Sequence, residues 1–325
     1  MKRGSAEVNG ITMSWLEHGQ GRPVVFIHGV PTSPELWREV MLRLRGVRAL
    51  AWEMVGYGTS IGEGHGRDLS VAKQADHLRA WLDQQDIERP ILAGHDLGGG
   101  VAQIAAVREP GRYSGLFLTN SIGYDNWPVP SVSTLKASGR LLRHLPEPLF
   151  KVLLLVFYVR WHCSLSKAIA AYRRHAPNYL RAGGPAVLGN QIRWLDTQDT
   201  LDVADRLQTL PLPARVVWGA ADAFLKMRYG RRFARELQAP LRVIEQGKHF
   251  IPEDHPEIVA EELQKLVDGD EGSGRREDSG PAGPSPARSP RTPVRTAVAV
   301  VAVAGLAAVL LRRWRRERPS RRDQG

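Results

Sequence analysis

Asp96 is the clearest candidate for a catalytic residue in this sequence. It follows an apolar run at residues 91–93 and precedes a helical pattern at 101–105, and the letters GHDLG at 94–98 join the two. This order predicts a strand, a sharp turn and a helix. Such a turn lifts one side chain above the sheet, and small flanking residues avoid collisions between a Cβ and the neighbouring backbone. The lifted side chain is the carboxyl group of Asp96.

A carboxylate at such a turn favours one class of reaction. The usual pKa of an aspartate is about 3.9, so Asp96 is expected to be an anion that attacks without a base. Attack on a carboxylic ester would give a high-energy anhydride, whereas attack on a saturated carbon that carries a leaving group gives an ordinary ester. The alternative is structural, because an aspartate directly before a helix often caps it.

Water must cleave the resulting ester, and water requires a general base. His249 lies in the loop after the last predicted strand, at the sheet edge where open α/β sheets bind ligands. Asp222 follows the preceding strand and can orient the imidazole, with Asp125 as the alternative acid. The order Asp96, Asp222, His249 is then nucleophile, acid, base. Three such residues in this order favour catalysis over capping.

Two backbone amides are predicted to hold the charge that develops when water adds to the ester. One belongs to Leu97, directly after the nucleophile, and the other to Val30, which follows a His-Gly pair. Their N–H groups, rather than their side chains, perform this role.

The elements that must position these residues alternate between strands and helices. Residues 7–17 predict a hairpin around an Asn-Gly turn. Buried strands are predicted at 23–27, 47–52, 91–93, 115–119, 214–218 and 241–245. Helices are predicted at 70–85, 228–237 and 256–267. The alternation predicts an α/β fold with a mostly parallel, doubly wound sheet.

About ninety residues between the fourth and fifth of these buried strands show no strand pattern. We interpret 124–206 as a helical cap over the edge that carries Asp96, inserted between core segments 1–123 and 207–271. The apolar run at 152–159 is too short to span a bilayer.

The end of the chain differs in composition. Residues 272–295 are rich in Pro, Ser, Gly and Arg and predict a disordered linker. Residues 296–311 are uncharged, and we predict a membrane anchor there that either spans the bilayer or lies on it. Residues 312–325 form an Arg-rich tail.

Composition limits the compartment and the partners. The net charge is +11, but residues 272–325 alone hold twelve Arg and four acidic residues, so the body gives little support for nucleic-acid binding. The single cysteine, Cys163, excludes an internal disulfide and a thiolate metal cluster and favours a reducing compartment. The N-terminus has no secretory apolar segment. A cytoplasmic catalytic domain, associated with a membrane through 296–311, is therefore expected.

Several motifs together carry a family resemblance. They are HGVPTS at 28–33 with LW at 36–37, GYGTS at 56–60, GHDLGG at 94–99, GAAD at 219–222 and GKHF at 247–250. On these motifs residues 10–268 resemble an α/β-hydrolase of the epoxide hydrolase and haloalkane dehalogenase branch. The resemblance implies an α/β-hydrolase fold with an eight-stranded, mostly parallel sheet and an inserted helical cap. It also implies a small lipophilic substrate, no cofactor and no metal.

The sequence departs from the halide-binding pattern of that branch. Haloalkane dehalogenases of this type resemble one another in a Trp directly after the nucleophile, and one group has an Asn after the first His-Gly, so that both side chains donate N–H groups to the halide. Leu97 and Val30 stand at these positions and cannot do so. Cap residues such as Trp127, Trp161 or Trp194 are the remaining candidates for this contact.

An epoxide leaves as an alkoxide that stays attached to the carbon chain, and it requires acidic O–H donors. Epoxide hydrolases of this family resemble each other in using cap tyrosines, and Tyr124, Tyr158 and Tyr172 are the candidates here, with the last two preferred. His28 is a further candidate for substrate contact. The alternative for each aromatic residue is simple packing. We expect epoxide opening slightly ahead of dehalogenation.

Two other functions are open at this point. The chain could be a small-lipophile binding or regulatory protein on the same scaffold, in which case binding would be unaffected by Asp96→Asn and no product would form. It could also be an enzyme for acyl or C–C chemistry, which activity of Asp96→Ser on nitrophenyl esters would indicate.

Overall fold

The structure is a computed structural model that describes residues 1–128, 130–137 and 142–269. Eight strands form its single sheet. They are β1 (Lys2–Val8), β2 (Ile11–Gly19), β3 (Arg22–Ile27), β4 (Val47–Trp52), β5 (Ile91–Asp96), β6 (Gly115–Ser121), β7 (Ala214–Gly219) and β8 (Leu241–Ile244). Every strand that the sequence predicts is present, and several are one to five residues longer than predicted.

The described helices flank and cover this sheet. They are α1 (Arg38–Met41), α2 (Val71–Gln84), α3 (Leu97–Arg108), α4 (Pro130–Ala137), α5 (Glu147–Trp161), α6 (Leu165–Arg181), α7 (Pro185–Arg193), α8 (Gln198–Ala204), α9 (Met227–Glu236), α10 (Ile251–Asp254) and α11 (Pro256–Val267). Short 3₁₀ segments lie at Pro34–Trp37, Gly58–Gly64, Pro110–Arg112 and Leu207–Thr209. Helix α2 begins as predicted, because the Ser70 side chain accepts a hydrogen bond from the Lys73 amide.

The strand order in the sheet is β1-β2-β4-β3-β5-β6-β7-β8. Strands β1 and β2 form the predicted antiparallel hairpin, and β2 also pairs antiparallel with β4. The pairs from β4 across to β8 are all parallel. The α/β-hydrolase fold with an eight-stranded, mostly parallel sheet is therefore confirmed, and β5 places Asp96 near the middle of the sheet.

Both faces of the sheet are buried. Alternate residues of β3 show this directly, since Val24 and Phe26 belong to one apolar cluster and Val25 and Ile27 to the other, all with no exposed surface. Helices on each side supply the other half of each cluster. This double burial explains why the strands read as continuous apolar runs in the sequence.

Between β6 and β7 the described residues contain helices and no strand, in the order α4 to α8. The described part of the chain forms one compact unit, in which these helices and the sheet belong together. The division into core segments 1–123 and 207–271 and a cap at 124–206 stays a prediction.

The prediction of a membrane-spanning helix is corrected. No helix in the described ranges 1–128, 130–137 and 142–269 is both long and apolar enough to cross a bilayer. The apolar helix α5, for example, has 15 residues, or about 22 Å, against the roughly 30 Å of a hydrocarbon core. The segment for which an anchor was predicted, 296–311, lies outside the described residues, as do the predicted linker 272–295 and tail 312–325.

Candidate active site

The predicted turn after β5 holds Asp96 in an unusual backbone conformation. Its φ is 51° and its ψ is −122°, directly before α3 begins at Leu97. The flanking glycines are required by close backbone contacts, because a Cβ at Gly98 would lie 2.1 Å from Ile27 O and one at Gly94 2.5 Å from Gly98 O. The Asp96 side chain accepts no capping hydrogen bond of the usual kind from α3. The capping interpretation is therefore not supported by the geometry.

The structure brings the three predicted residues together. Asp222 follows β7 and His249 follows β8, so both lie at the carboxyl edge of the sheet beside Asp96. His249 Nδ1 lies 2.9 Å from Asp222 Oδ2, and His249 Nε2 lies 3.9 Å from Asp96 Oδ1. The second separation is too long for a hydrogen bond and leaves Nε2 directed towards the Asp96 carboxyl group. Asp125, the alternative acid, is exposed and accepts a hydrogen bond from Tyr229 instead.

Two residues that the sequence did not single out as functional hold this arrangement. Asn120 Nδ2 donates to Asp222 Oδ2 at 2.6 Å and to Lys248 O at 3.1 Å. His95 Nε2 lies 2.9 Å from His249 O, and the two imidazole rings are 4.9 Å apart. Asn120 lies at the end of β6, beside the strands that lead to the three predicted residues, which we call the relay. This position was the signal that the sequence offered.

The predicted amides also reach Asp96. The Val30 N–H donates to Asp96 Oδ2 at 3.0 Å, and the Leu97 amide, next in the chain, favours the Asp96 anion. A Cβ at Gly29 would lie 2.3 Å from Oδ2, which shows how closely the loop before Val30 passes the carboxyl group. Oδ2 thus accepts the Val30 backbone N–H, while Oδ1 faces His249.

Burial and neighbouring charges together raise the pKa values of both Asp96 and His249. Burial raises the pKa of Asp96 above its usual value, although His249 and the Val30 amide favour the anion. Burial alone would lower the pKa of His249, but the negative charges of Asp222 and Asp96 outweigh it, so the pKa of His249 is raised. A buried carboxylate binds fewer water molecules, so its oxygen is more available to attack a substrate. Because burial also raises the pKa of Asp96, the carboxylate is ionised over a narrower pH range.

An apolar cavity of about 130 Å³ opens above Asp96. Its walls are aliphatic and aromatic side chains from the core loops and the helices between β6 and β7, and Asp96 is the one ionisable side chain among the described residues that line it. The lining comprises Val30, Pro31, Asp96, Leu97, Ile122, Trp127, Pro128, Val132, Leu135, Leu153, Leu154, Phe157, Leu188, Ile192, Leu195 and Phe224.

None of the predicted tyrosines is among the described lining residues. Tyr124 donates its hydroxyl to Glu236 at 2.7 Å and packs on Phe233. Tyr158 is fully buried and donates to Pro31 O at 2.8 Å, and Tyr172 lies edge-on against it with ring centroids 6.2 Å apart. Because the two bonded hydroxyls have acceptors elsewhere and Tyr172 is not part of the wall, the expected O–H donors are not at the cavity.

Of the other candidates for substrate contact, some line the cavity and others do not. Trp127 lines the cavity, but its Nε1–H donates to Thr200 Oγ1 at 2.7 Å. Trp194 is outside the described lining, beneath the Arg193 guanidinium. His28 is buried, its Nε2 accepts from the Met54 amide, and burial lowers its pKa to about 3, so it supports the loop rather than the substrate.

Comparisons with known proteins identify relatives of the chain. A model of the alpha/beta hydrolase family matches residues 24–262. A haloalkane dehalogenase from Agrobacterium fabrum is 29% identical over 276 residues, covering 77% of this chain and 86% of that protein. An epoxide hydrolase from Caballeronia sordidicola is 34% identical over 111 residues, covering 34% of each. The crystal structure of an alpha/beta hydrolase fold protein from Burkholderia ambifaria aligns with a TM-score of 0.74 and 25% identity, covering 81% of this chain and 96% of that one.

Proposed function

The chain belongs to the alpha/beta hydrolase family, and on that premise we propose that it hydrolyses a small apolar molecule through an alkyl ester on Asp96. The observation that carries this proposal is that the two oxygens of the Asp96 carboxyl group have different contacts. Oδ2 is held by the Val30 amide, Oδ1 lies 3.9 Å from His249 Nε2, and Asp96 is part of the cavity wall. Oδ1 is therefore free to attack a substrate. Oδ2 already lies where a backbone N–H can stabilise negative charge.

In the first step Asp96 Oδ1 attacks a saturated carbon of the substrate. The new C–O bond forms as the bond to the leaving group breaks, and the electron pair departs with that group. In the second step a water oxygen adds to Cγ of the ester, and His249 Nε2 takes the proton. The Val30 and Leu97 amides hold the oxyanion on Oδ2. Collapse releases the alcohol, which takes the proton from His249, and the regenerated Asp96 loses its proton to solvent.

The leaving group that the cavity suits best is a halide. An alkoxide is a strong base and needs an O–H donor as it forms, and the described wall offers none. Bromide and iodide are weak bases and need less stabilisation. The dehalogenase from Agrobacterium fabrum, which covers most of the chain, also favours this choice over the epoxide hydrolase, which covers a third. Epoxide opening, preferred from the sequence alone, becomes the second candidate.

The size of the cavity sets the size of the substrate. A cavity of about 150 Å³ with apolar walls accommodates benzene, so about 130 Å³ suits a molecule of roughly six non-hydrogen atoms. We therefore expect 1-iodobutane to react faster than 1-bromobutane, and 1-bromobutane faster than 1-chlorobutane, because no side chain assists departure. Halide release and butanol formation measure this order. Because all three halides form the same butyl ester, the order is read from halide release in a single turnover, and faster opening of 1,2-epoxybutane would favour the second candidate.

The pH dependence of ester cleavage should report His249. The neutral imidazole is the base, so cleavage is lost as the pH falls through its pKa. Asp222 raises the pKa of His249, and because Asp96 is uncharged once it is esterified, Asp222 is the charge that sets the midpoint of cleavage. In Asp222→Asn the midpoint should move to lower pH as well as the rate falling, because one negative charge is removed. Single-turnover cleavage between about pH 5 and 9 measures both, and an unchanged midpoint in Asp222→Asn would contradict the assignment.

A further inference from the structure

A second buried carboxylate, Glu253, lies four residues after His249 and is not part of the relay. Its side chain is 6% exposed, and its two oxygens face three cationic or titratable groups. Oε1 accepts from Arg174 Nη1 at 2.5 Å and lies 3.2 Å from His175 Nε2, while Oε2 lies 3.2 Å from His162 Nε2. Arg174 and His175 belong to α6, and His162 directly follows α5. Glu253 therefore joins the segment that carries the base to two cap helices.

The partners of Glu253 favour its anion. Burial would raise its pKa, but His175, His162 and Arg174 outweigh this and hold the pKa of Glu253 well below its usual range. His162 also places Nδ1 3.0 Å from Tyr158 O. His162 thus lies between two acceptors, the Tyr158 carbonyl and the Glu253 carboxylate. Removing one charged member of a buried cluster such as this leaves the charges of the other members uncompensated.

The contacts continue from this cluster to the base itself. The His162 ring stacks on Phe250 with centroids 4.7 Å apart, and Phe250 directly follows His249, whose ring is 4.9 Å away. Side chains on either side of His249 also bind the cap. Lys248 Nζ donates to His162 O at 2.8 Å, and the Cys163 amide donates to Asp254 Oδ2 at 2.8 Å.

The same cluster touches the loop that holds the oxyanion. His175 Nδ1 lies 3.0 Å from Ser33 Oγ, and Ser33 is three residues after Val30. With Nδ1 paired to a hydroxyl that can donate, His175 can give its own proton from Nε2 to Glu253. One cap helix thus contacts both core loops on which ester cleavage depends.

We propose that Glu253 is a positioning residue, which fixes His249 relative to Asp96 by binding the loop after β8 to His162, His175 and Arg174 of the cap. This inference rests on the proposed function, because it concerns the base of that reaction. Only the second step requires His249, so Glu253 acts on cleavage of the ester and not on its formation. A residue that merely stabilised the fold would affect both steps alike.

The test compares Glu253→Gln with Glu262→Gln. Glu262 is a matched control, since it is also buried and accepts from an arginine, Arg215 Nη1, at 2.7 Å, but Arg215 lies at the opposite end of β7 from Asp222. With 1-iodobutane we expect Glu253→Gln to form the ester at close to the wild-type rate and to cleave it about 10²-fold more slowly, as for a base displaced by about 1 Å. Glu262→Gln should keep the wild-type ratio of the two rates.

A second variant covers the case in which Glu253→Gln does not fold. Arg174 is 29% exposed in its pair with Glu253, so Arg174→Gln removes one partner at lower cost to the fold. It should slow cleavage selectively, by less than Glu253→Gln. Equal slowing of ester formation and cleavage in the folded variants would overturn the proposal.

Hydrogen exchange separates this proposal from the proposed function. In Glu253→Gln the amides of residues 162–175 and 247–255 should exchange faster together, and in Glu262→Gln neither segment should change. If the wild type forms no ester with any alkyl halide or epoxide while the two segments still loosen together, the proposed function fails and the coupling of cap and loop stands. Faster exchange in only one of the two segments would overturn the coupling.

Discussion

Asp96→Asn should lose turnover of alkyl halides by about 10⁴-fold or more, as expected when the nucleophile of a covalent mechanism is removed. The amide is a poor nucleophile, while its shape still allows the Val30 N–H to donate to the side-chain oxygen. Asparagine also tolerates a positive φ better than most residues, so the backbone at φ 51° is expected to keep its conformation. Loss of activity in a folded protein then reports chemistry. Halide release and circular dichroism on the same sample measure both.

Asp125→Asn is the matched control, since Asp125 also follows a strand of the sheet but is exposed and bound to Tyr229. It should retain wild-type turnover. Binding of an alkyl halide to the wild type without any product, unchanged in Asp96→Asn, would instead favour a non-catalytic binding protein. Turnover that survives in Asp96→Asn would remove Asp96 from the mechanism.

His249→Gln should separate the two chemical steps. Ester formation needs no base, so a first turnover of halide equal to the amount of enzyme is expected at close to the wild-type rate. Cleavage should slow by about 10²–10⁴-fold, the usual contribution of a general base. The ester should therefore accumulate, and intact mass should show the added alkyl group on the protein.

His18→Gln, on the distant strand β2, should show no accumulation. If His249→Gln turns over at the wild-type rate, another residue is the base. If it releases no halide in the first turnover, His249 is needed before the ester forms, and the proposed order of steps is wrong.

The sheet and the relay were predictable because they depend on local patterns. Buried strands read as apolar runs, and the short turn after β5 demands glycine at positions 94 and 98 whatever the substrate is. Asp222 and His249 each lie in the loop after a strand, and the carboxyl ends of parallel strands meet at one edge. Their proximity to Asp96 therefore followed from topology.

The cavity was not predictable because it depends on how the helices between β6 and β7 pack. Helix α5 has apolar residues on every side, so no periodicity distinguishes Leu153 and Phe157, which line the cavity, from Val152 and Val156, which are more than half exposed. The direction of the Tyr158 hydroxyl towards Pro31 is likewise a result of packing. The preference for an epoxide depended on such hydroxyls and stays a prediction.

Glu253 shows a second limit of sequence patterns. In the segment IPEDHPE at 251–257 it reads as one of several polar residues at the start of a surface helix. It is buried only because α6 and the end of α5 cover it and supply Arg174, His175 and His162. Partners that come from 78 to 91 residues away in the chain leave no local signal.

Single-turnover hydrolysis in water enriched in ¹⁸O tests the central claim most directly, because it follows the oxygen that Asp96 gives to the product. With excess enzyme and 1-iodobutane, the first butanol released should contain ¹⁶O from the Asp96 carboxyl group, and the peptide that contains Asp96 should gain one ¹⁸O. Butanol that carries ¹⁸O in the first turnover, with no label in that peptide, would show that water attacks the substrate directly and that no ester forms on Asp96.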